Sequence, residues 1–435
     1  MVDRRTVCLR RLGGGRCDEV RFGRALRNPR VGVSEMLVHA AEPLALAARG
    51  RHVLAIQDTT ELNYQGHAGR VRGLGPVGNG SDVGLFLHAV VAVDAQETTC
   101  LGLCGAELWT RGPGRVGPRH ERQTQDKESR RWLAGAEAAH DTLATADRVT
   151  VVSDAESDDY ALFVHCRELG CEVLVRQRSD RKLADGASLF EHVAAQPVAE
   201  RFTLELSAGS TRGQRRPARQ ARLDVRFAPV RVRRPARAGA EAPGELELWA
   251  VDIREVNIDE TAPRSGPPIH WRLLTSHEVA DGAQACRVAR WYASRWTVEE
   301  VFRLLKRQGL DVESSQVEQA DALEKLAVLA LIAAVRILQL VRARDGRDRR
   351  TAAELFRTDE IEVLRALLPG REGKTLKQKN PHPPDSLAWA AWIIARLGGW
   401  KGYASEAPPG PVTFAHGLRE FSAIYRGFIL AKFCA

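Results

Sequence analysis

The order of apolar and polar positions divides the chain into stretches of different period. Residues 1–50 are Arg-rich and helix-like in part, interrupted by Pro29 and by Gly13-Gly14-Gly15, a poor helix segment. At His52 the pattern changes. The run His52-Val-Leu-Ala-Ile-Gln-Asp58 predicts a buried strand ending on a carboxylate. A Gly-rich loop over 66–84 comes next, and 85–93 and 99–109 predict two strands of a meander. Residues 127–146 have helical spacing. Arg148-Val-Thr-Val-Val-Ser-Asp154 is a second short strand ending on a carboxylate, 157–169 is helical, and 172–176 is strand-like. Such an order fits a mixed α/β fold.

Residues 178–270 differ. Leu223, Val225 and Phe227, then Val230 and Val232, then Leu246 and Leu248 alternate with polar positions, and Pro217, Pro229, Pro235 and Pro243 divide the stretch. This predicts an antiparallel β insertion. A strand at 269–276 returns to the apolar type. Residues 281–308 predict one long helix and 316–342 a second, more apolar one. Beyond Gly346 the chain is helical with breaks, including a Lys/Pro-rich linker at 371–384 and a tail with Trp389, Trp392 and Trp400.

The 435 residues suit about two or three domains, and 44% hydrophobic with 27% charged residues excludes wholesale disorder. The net charge of +9 permits a polyanionic partner without identifying one. Only nine of the 64 basic residues are Lys. Either GC-rich codons or phosphate recognition by the planar Arg fork accounts for that bias. The Arg density peaks at 212–237, where ten arginines face one acid, Asp224. With no neighbouring acids, the expectation there is a phosphate-contacting surface, the alternative being a solvated face. No apolar run follows the basic residues of the Met1 end, which argues against a secretory signal. The longest apolar stretch, 326–335, is too short to span a bilayer and reads as core. The eight cysteines include no CxxC pair, and free cytosolic thiols are expected.

Asp58 and Asp154, each at the end of a strand, invite a metal reading, because carboxylate oxygens are the hard ligands Mg²⁺ prefers. Two ions about 4 Å apart can activate an attacking oxygen and steady the leaving one in phosphodiester chemistry. Turn or cap residues are the plainer alternative. A third carboxylate comes from the helix read over 290–308. At about 100° per residue, Tyr292, Arg295, Glu299 and Lys306 fall at roughly 0°, 300°, 340° and 320°, one stripe of a single face. Glu299 would join the metal site while Arg295 and Lys306 hold a DNA strand; an i,i+4 ion-pair face is the alternative. Glu300, about 100° away, is the rival carboxylate.

Tyr292-x2-Arg295-x3-Glu299-x6-Lys306 resembles the Y-R-E-K signature of DDE transposases of the insertion sequence four family. The block Gln57-Asp58-Thr59-Thr60-Glu61-Leu62-Asn63-Tyr64 is similar to that family's first-aspartate block. Asp154-Ala155-Glu156-Ser157-Asp158-Asp159-Tyr160 resembles its D-R-E-x-D block, with Ala155 where the family has Arg. Lys127-Glu128-Ser129-Arg130-Arg131-Trp132 also has the family's look. The resemblance runs from about residue 20 to the C-terminus. It implies a ribonuclease H-like catalytic core interrupted by an antiparallel β insertion, with flanking N- and C-terminal helical regions. It implies Asp58, Asp154 and Glu299 as catalytic metal ligands for two Mg²⁺ ions, with Mn²⁺ as a substitute. Tyr292, Arg295, Lys306 and Arg176 would contact DNA, and Trp271 would stack on or receive a flipped base near the cleaved end.

The implied domains are a remnant of an N-terminal DNA-binding domain (1–50), the catalytic core (51–177 and 271–345), the β insertion (178–270) and a C-terminal dimerisation region (346–435). At the front only 21–37 resembles the close of the family's N-terminal domain, so a shortened N-terminus is expected. The implied function is cut-and-paste transposition on double-stranded DNA, at transposon ends and target, by a homodimer when DNA-bound. Its place would be the bacterial cytoplasm, on the nucleoid and away from membranes. The alternative is a catalytically silent regulator that inhibits full-length transposase in mixed dimers; a nuclease unrelated to transposition is a third reading.

Overall fold

The computed structural model describes all residues except 1–6, 13–14, 79, 112–129, 207–208, 212–213, 258–267, 308–309, 404 and 435. They gather into two compact units. The first is Met1–Asp126 with Asp141–Asp147 and Trp296–Ala435; the second is Lys127–His140 with Arg148–Arg295.

The first elements are α1 (Leu9–Leu12), α2 (Arg16–Leu26), α3 (Val33–Ala47), β1 (His52–Asn63), β2 (Gly75–Val77), β3 (Asp82–Asp94) and β4 (Cys100–Trp109). Next come α4 (Arg130–Thr142), β5 (Arg148–Ser153), α5 (Tyr160–Glu168), β6 (Glu172–Arg176) and α6 (Leu189–Ala194). The strands β7 (Glu200–Leu206), β8 (Gly209–Thr211), β9 (Gln214–Arg216), β10 (Arg219–Arg233), β11 (Glu245–Glu255) and β12 (His270–Thr275) follow. Six helices come after them: α7 (Gly282–Ala293), α8 (Trp296–Lys306), α9 (Ala320–Ala343), α10 (Thr358–Leu367), α11 (Leu387–Leu397) and α12 (Pro411–Cys434). The molecule is mixed α/β, its strands mostly antiparallel and flanked by helices.

In the first unit β3 is the central strand. It pairs antiparallel with β1 from Val53↔Asp94 to Asn63↔Gly84 and with β4 from Phe86↔Trp109 to Val93↔Cys100. Strand β2 pairs with the start of β3. Gly84 is required at that crowded point: a Cβ there would lie 2.2 Å from the Leu62 carbonyl oxygen and 2.7 Å from Val77 Cγ2. Strand β1 does not stop at Asp58. It continues through Thr59-Thr60-Glu61-Leu62, where β-branched residues and a buried Leu62 suit the pleat, so Asp58 is internal to the strand. Helices α3 and α9 pack on β4, and α8 packs on β1 and β3. The apolar stretch 326–335 is part of α9, a helix whose 24 residues are long and apolar enough to cross a membrane. Its residues from Ala322 to Leu340 are mostly buried within the protein, which makes it a core helix.

In the second unit β5 runs parallel to β6, and β6 pairs antiparallel with β12; β11, β10 and β7 extend the sheet antiparallel. Trp132, Tyr160, Phe163, Val175, Leu183 and Val230 belong to one core cluster beneath it. The helix expected over 127–146 is α4; Lys127, Glu128 and Ser129 lie outside the described residues.

The single helix expected over 281–308 is two, α7 and α8, separated at Ser294–Arg295; Gln308 lies outside the described residues. The burial pattern gives the reason. Helix α7 buries Ala285, Val288, Ala289 and Tyr292, whereas α8 buries Val298, Val301, Phe302 and Leu305. On one ideal rod these faces would be about 180° apart. The break lets each half turn its own apolar face inward. At the break the Ser294 N–H donates to the Arg290 and Trp291 carbonyls and the Arg295 N–H to that of Tyr292, satisfying the end of α7.

Candidate active site

The first unit supplies Asp58, Glu299 and Lys306. Alternation along β1 sends Gln57 and Thr59 to one face and Asp58 to the other. On the former face buried His88 lies with Nδ1 2.9 Å from Thr59 Oγ1 and Nε2 3.0 Å from Gln57 Oε1, which braces the strand on both sides of Asp58. The Asp58 carboxylate accepts the Thr59 N–H at 2.8 Å. Glu299 stands half-buried in the first turn of α8, where the helix dipole favours an anion. Its rival Glu300 accepts Arg342 of α9 at 2.8 Å. That ion pair gives Glu300 a structural partner.

Lys306, the last residue of α8, is 3.7 Å from Glu313. Burial pulls its ammonium below the ordinary lysine range, opposed by Glu313 and by Glu61 of β1. Glu313 also accepts the Asn63 N–H at 2.9 Å, so one carboxylate ties the end of β1 to the turn after α8. That turn is entered through Asp311 at φ +50°, a left-handed conformation that Asp tolerates better than most residues.

The second unit supplies Asp154, Arg176, Trp271, Tyr292 and Arg295. Asp154 follows β5 and caps the turn Ala155–Ser157, accepting the Glu156 N–H at 2.8 Å. Glu156 takes Arg131 at 3.2 Å, which gives the 127–132 block a structural role. Asp158 accepts the N–H groups of Arg178 (3.0 Å) and Ser179 (3.1 Å) and the Arg181 guanidinium. The block that carries Asp154 thus fixes the loop after β6. Trp271 is buried on β12, its ring edge-to-face with Tyr292 at 5.1 Å and 68°. Arg176 donates to the His270 carbonyl at 3.2 Å and bonds the Tyr292 hydroxyl. Burial pushes the Tyr292 phenol up, opposed by Arg295 and Arg176 and assisted by Asp154. These charges therefore share one electrostatic neighbourhood.

Tyr292, Arg295, Glu299 and Lys306 do not form one helical stripe. Tyr292 is in the buried face of α7, Arg295 is in the turn, and Glu299 and Lys306 are on α8. Nor is the Arg-rich segment without acids. Arg212 lies outside the described residues, as do the side chains of Arg215 and Arg216. Across the strands, Arg219 pairs with Glu255 at 2.8 Å, Arg231 with Glu245 at 3.6 Å, and Arg201 of β7 with Asp224 at 2.8 Å. Pairing register also sets Arg226 opposite Asp252. A count along the sequence misses acids that arrive on β11. It also misses Glu313, whose link to Lys306 and Asn63 has no local spacing to reveal it.

Asp58, Asp154 and Glu299 offer carboxylate oxygens alone, a donor set that suits Mg²⁺ in its chemistry. Among the described residues no group of three or more His, Cys, Asp or Glu side chains is gathered to hold a metal ion.

Residues 128–336, just under half of the chain, match the family model of the transposase DDE domain. The matched span includes Asp154, Arg176, Trp271 and the Tyr292–Lys306 signature, and leaves Asp58 outside. Among solved structures, the chain is similar to a piggyBac transposase in a synaptic complex with hairpin DNA, at 9% identity and a TM-score of 0.38. That similarity covers 70% of this chain and 50% of the other, so the chain spans about half the length of that protein. The match over 128–336 supports a DDE transposase.

Proposed function

We propose that this chain is a DDE transposase of the insertion sequence four type, which cuts DNA at transposon ends and joins them to a target. The match over 128–336 carries this reading, since it includes two of the three carboxylates and the whole Y-R-E-K signature. Transposase DDE domains in general depend on a divalent metal. Asp58, Asp154 and Glu299 would hold Mg²⁺ or Mn²⁺ here. When bound, such ions lower the pKa of water and offset charge on the phosphate.

The chain's own residues do the rest. Arg295 and Lys306 bring cations to the scissile phosphate, where two oxygens can be met at once by the Arg fork. Arg176 orients the Tyr292 hydroxyl, and Trp271 offers an aromatic edge to a distorted end. The chemistry is hydrolysis of one phosphodiester, which frees a 3′-OH, then transesterification in which that hydroxyl attacks the opposite strand, closing a hairpin and releasing the flanking 3′-OH. A second hydrolysis reopens the hairpin and frees the 3′-OH again, which attacks a target phosphodiester and releases the target's own 3′-OH. A homodimer assembled on DNA fits this sequence. In domain terms, 51–177 and 271–345 would be the catalytic core, 178–270 the insertion, 1–50 an end-binding region and 346–435 the dimerisation region.

Glu299→Ala should abolish Mg²⁺-dependent nicking of end-containing duplex while binding, read by gel shift, persists. Nicking at the native rate by this variant would remove Glu299 from the site.

A further inference from the structure

A groove of about 1050 Å³ opens in the second unit between the loop after β6 and the turn after β10. Its volume lies just above the range for small-ligand pockets, about 300–1000 Å³, but its lining is cationic where such pockets are mainly apolar. Lys182, Arg233, Arg234 and Arg237 line it, against one acid, Asp180. Asp180 is engaged by the Ser188 hydroxyl at 2.6 Å and the Phe190 N–H at 3.0 Å. Arg181, also at the groove, is buried against Asp158. Lys182, Arg233 and Arg237 are exposed and have no ion pair among the described residues. Earlier on β10, Arg219 and Arg231 are ion-paired with acids of β11, and Glu245, which the register sets opposite Arg233, makes its ion pair with Arg231.

The cations are also held in place. The Arg233 N–H donates to the Lys182 carbonyl at 3.0 Å, and the Ala184 N–H to that of Arg231 at 2.9 Å. A short ladder thereby sets Lys182 beside Arg233. The Arg234 guanidinium donates to the Ala240 and Ala242 carbonyls at 2.7 and 2.8 Å, closing the turn that carries Arg237. Asp158, four residues beyond Asp154, anchors the near end through Arg178, Ser179 and Arg181. Fixed backbone and an excess of cations over acids suit a chain of phosphates, because little loop ordering remains to oppose binding.

We propose that this groove holds the sugar–phosphate backbone of duplex DNA. The proposal rests on the transposase reading and adds to it a contact surface outside the residues of the motif. The test compares the native full-length chain with the triple variant Lys182→Ala/Arg233→Ala/Arg237→Ala on a mixed-sequence DNA duplex. Binding is followed by fluorescence anisotropy across about 50–200 mM salt. Each phosphate contact contributes about 0.9 to the slope of log K against log salt. The triple variant should therefore lose about 3 from that slope and bind at least about ten-fold more weakly at about 100 mM salt. Arg231→Ala, which removes a cation already paired with Glu245, should keep the native slope. Native-like slope and affinity in the triple variant would overturn the groove and leave the transposase reading standing. Failure of the native chain to bind any duplex would overturn both. Thermal unfolding at the native temperature confirms that the triple variant is folded.

Discussion

Asp158 in the second unit and Glu313 in the first play the same part in different surroundings. Each accepts backbone N–H groups and a cation: Arg178, Ser179 and Arg181 for Asp158, Asn63 and Lys306 for Glu313. The Asp158 and Arg181 side chains are 4% and 8% exposed, whereas those of Glu313 and Lys306 are 30% and 24% exposed. Burial turns the first into a lock. The second leaves an ammonium 3.7 Å from its acid, guided but still available to a phosphate. The same chemistry thus stabilises one unit and orients the Lys306 ammonium, proposed above to meet DNA, in the other.

The sharpest way to break this contrast is Asp158→Ala, which strands a buried guanidinium. It should lower unfolding stability by about 3–5 kcal/mol, read by denaturant titration; a loss under about 1 kcal/mol would put Asp158 on a par with a surface acid. Acidification should next separate the units. His277 packs against Trp291, ring centres 4.7 Å apart and planes tilted by 50°, and meets Thr150 Oγ1 at 2.7 Å; burial, with Arg148 nearby, holds its pKa down at about 4. The unfolded imidazole takes a proton near pH 6.5 and the folded one resists it. Its contribution is therefore complete above about pH 6.5 and is lost as the pH falls toward 4, about 3 kcal/mol in all. His277→Asn should flatten the stability–pH curve across that window; an unchanged slope would assign the acid sensitivity elsewhere. Glu313→Ala should have the smallest effect on stability, about 1 kcal/mol, but should push the Lys306 ammonium further down and weaken DNA binding as the pH rises. Equal losses from Glu313→Ala and Asp158→Ala would erase the distinction between lock and guide.

Strands β1, β3, β4, β5 and β6 are legible in the sequence, because each is an apolar or alternating run that the sheet then buries. The end of β1 is not, since Thr59–Asn63 is polar on its own and becomes a strand only against β3. The site residues are visible as motif positions, but their arrangement is not. Periodicity places Tyr292 and Glu299 on one face, yet the two halves of that segment bury opposite faces, and the backbone breaks at Ser294–Arg295 to satisfy both. Charge counting along the chain likewise stops at Asp224, while the acids that answer the arginines come from β11.

Gln339 of α9 donates to the Leu101 carbonyl of β4 at 2.6 Å across 238 residues of chain. On a ribosome adding about 5–20 residues per second, that bond waits roughly 10–50 s after β4 is made. During this interval the apolar side of the β1–β3–β4 meander has no α9 to cover it. The first unit to be started is the last to be closed, so the yield of native protein in cells should depend on what shields that meander during synthesis.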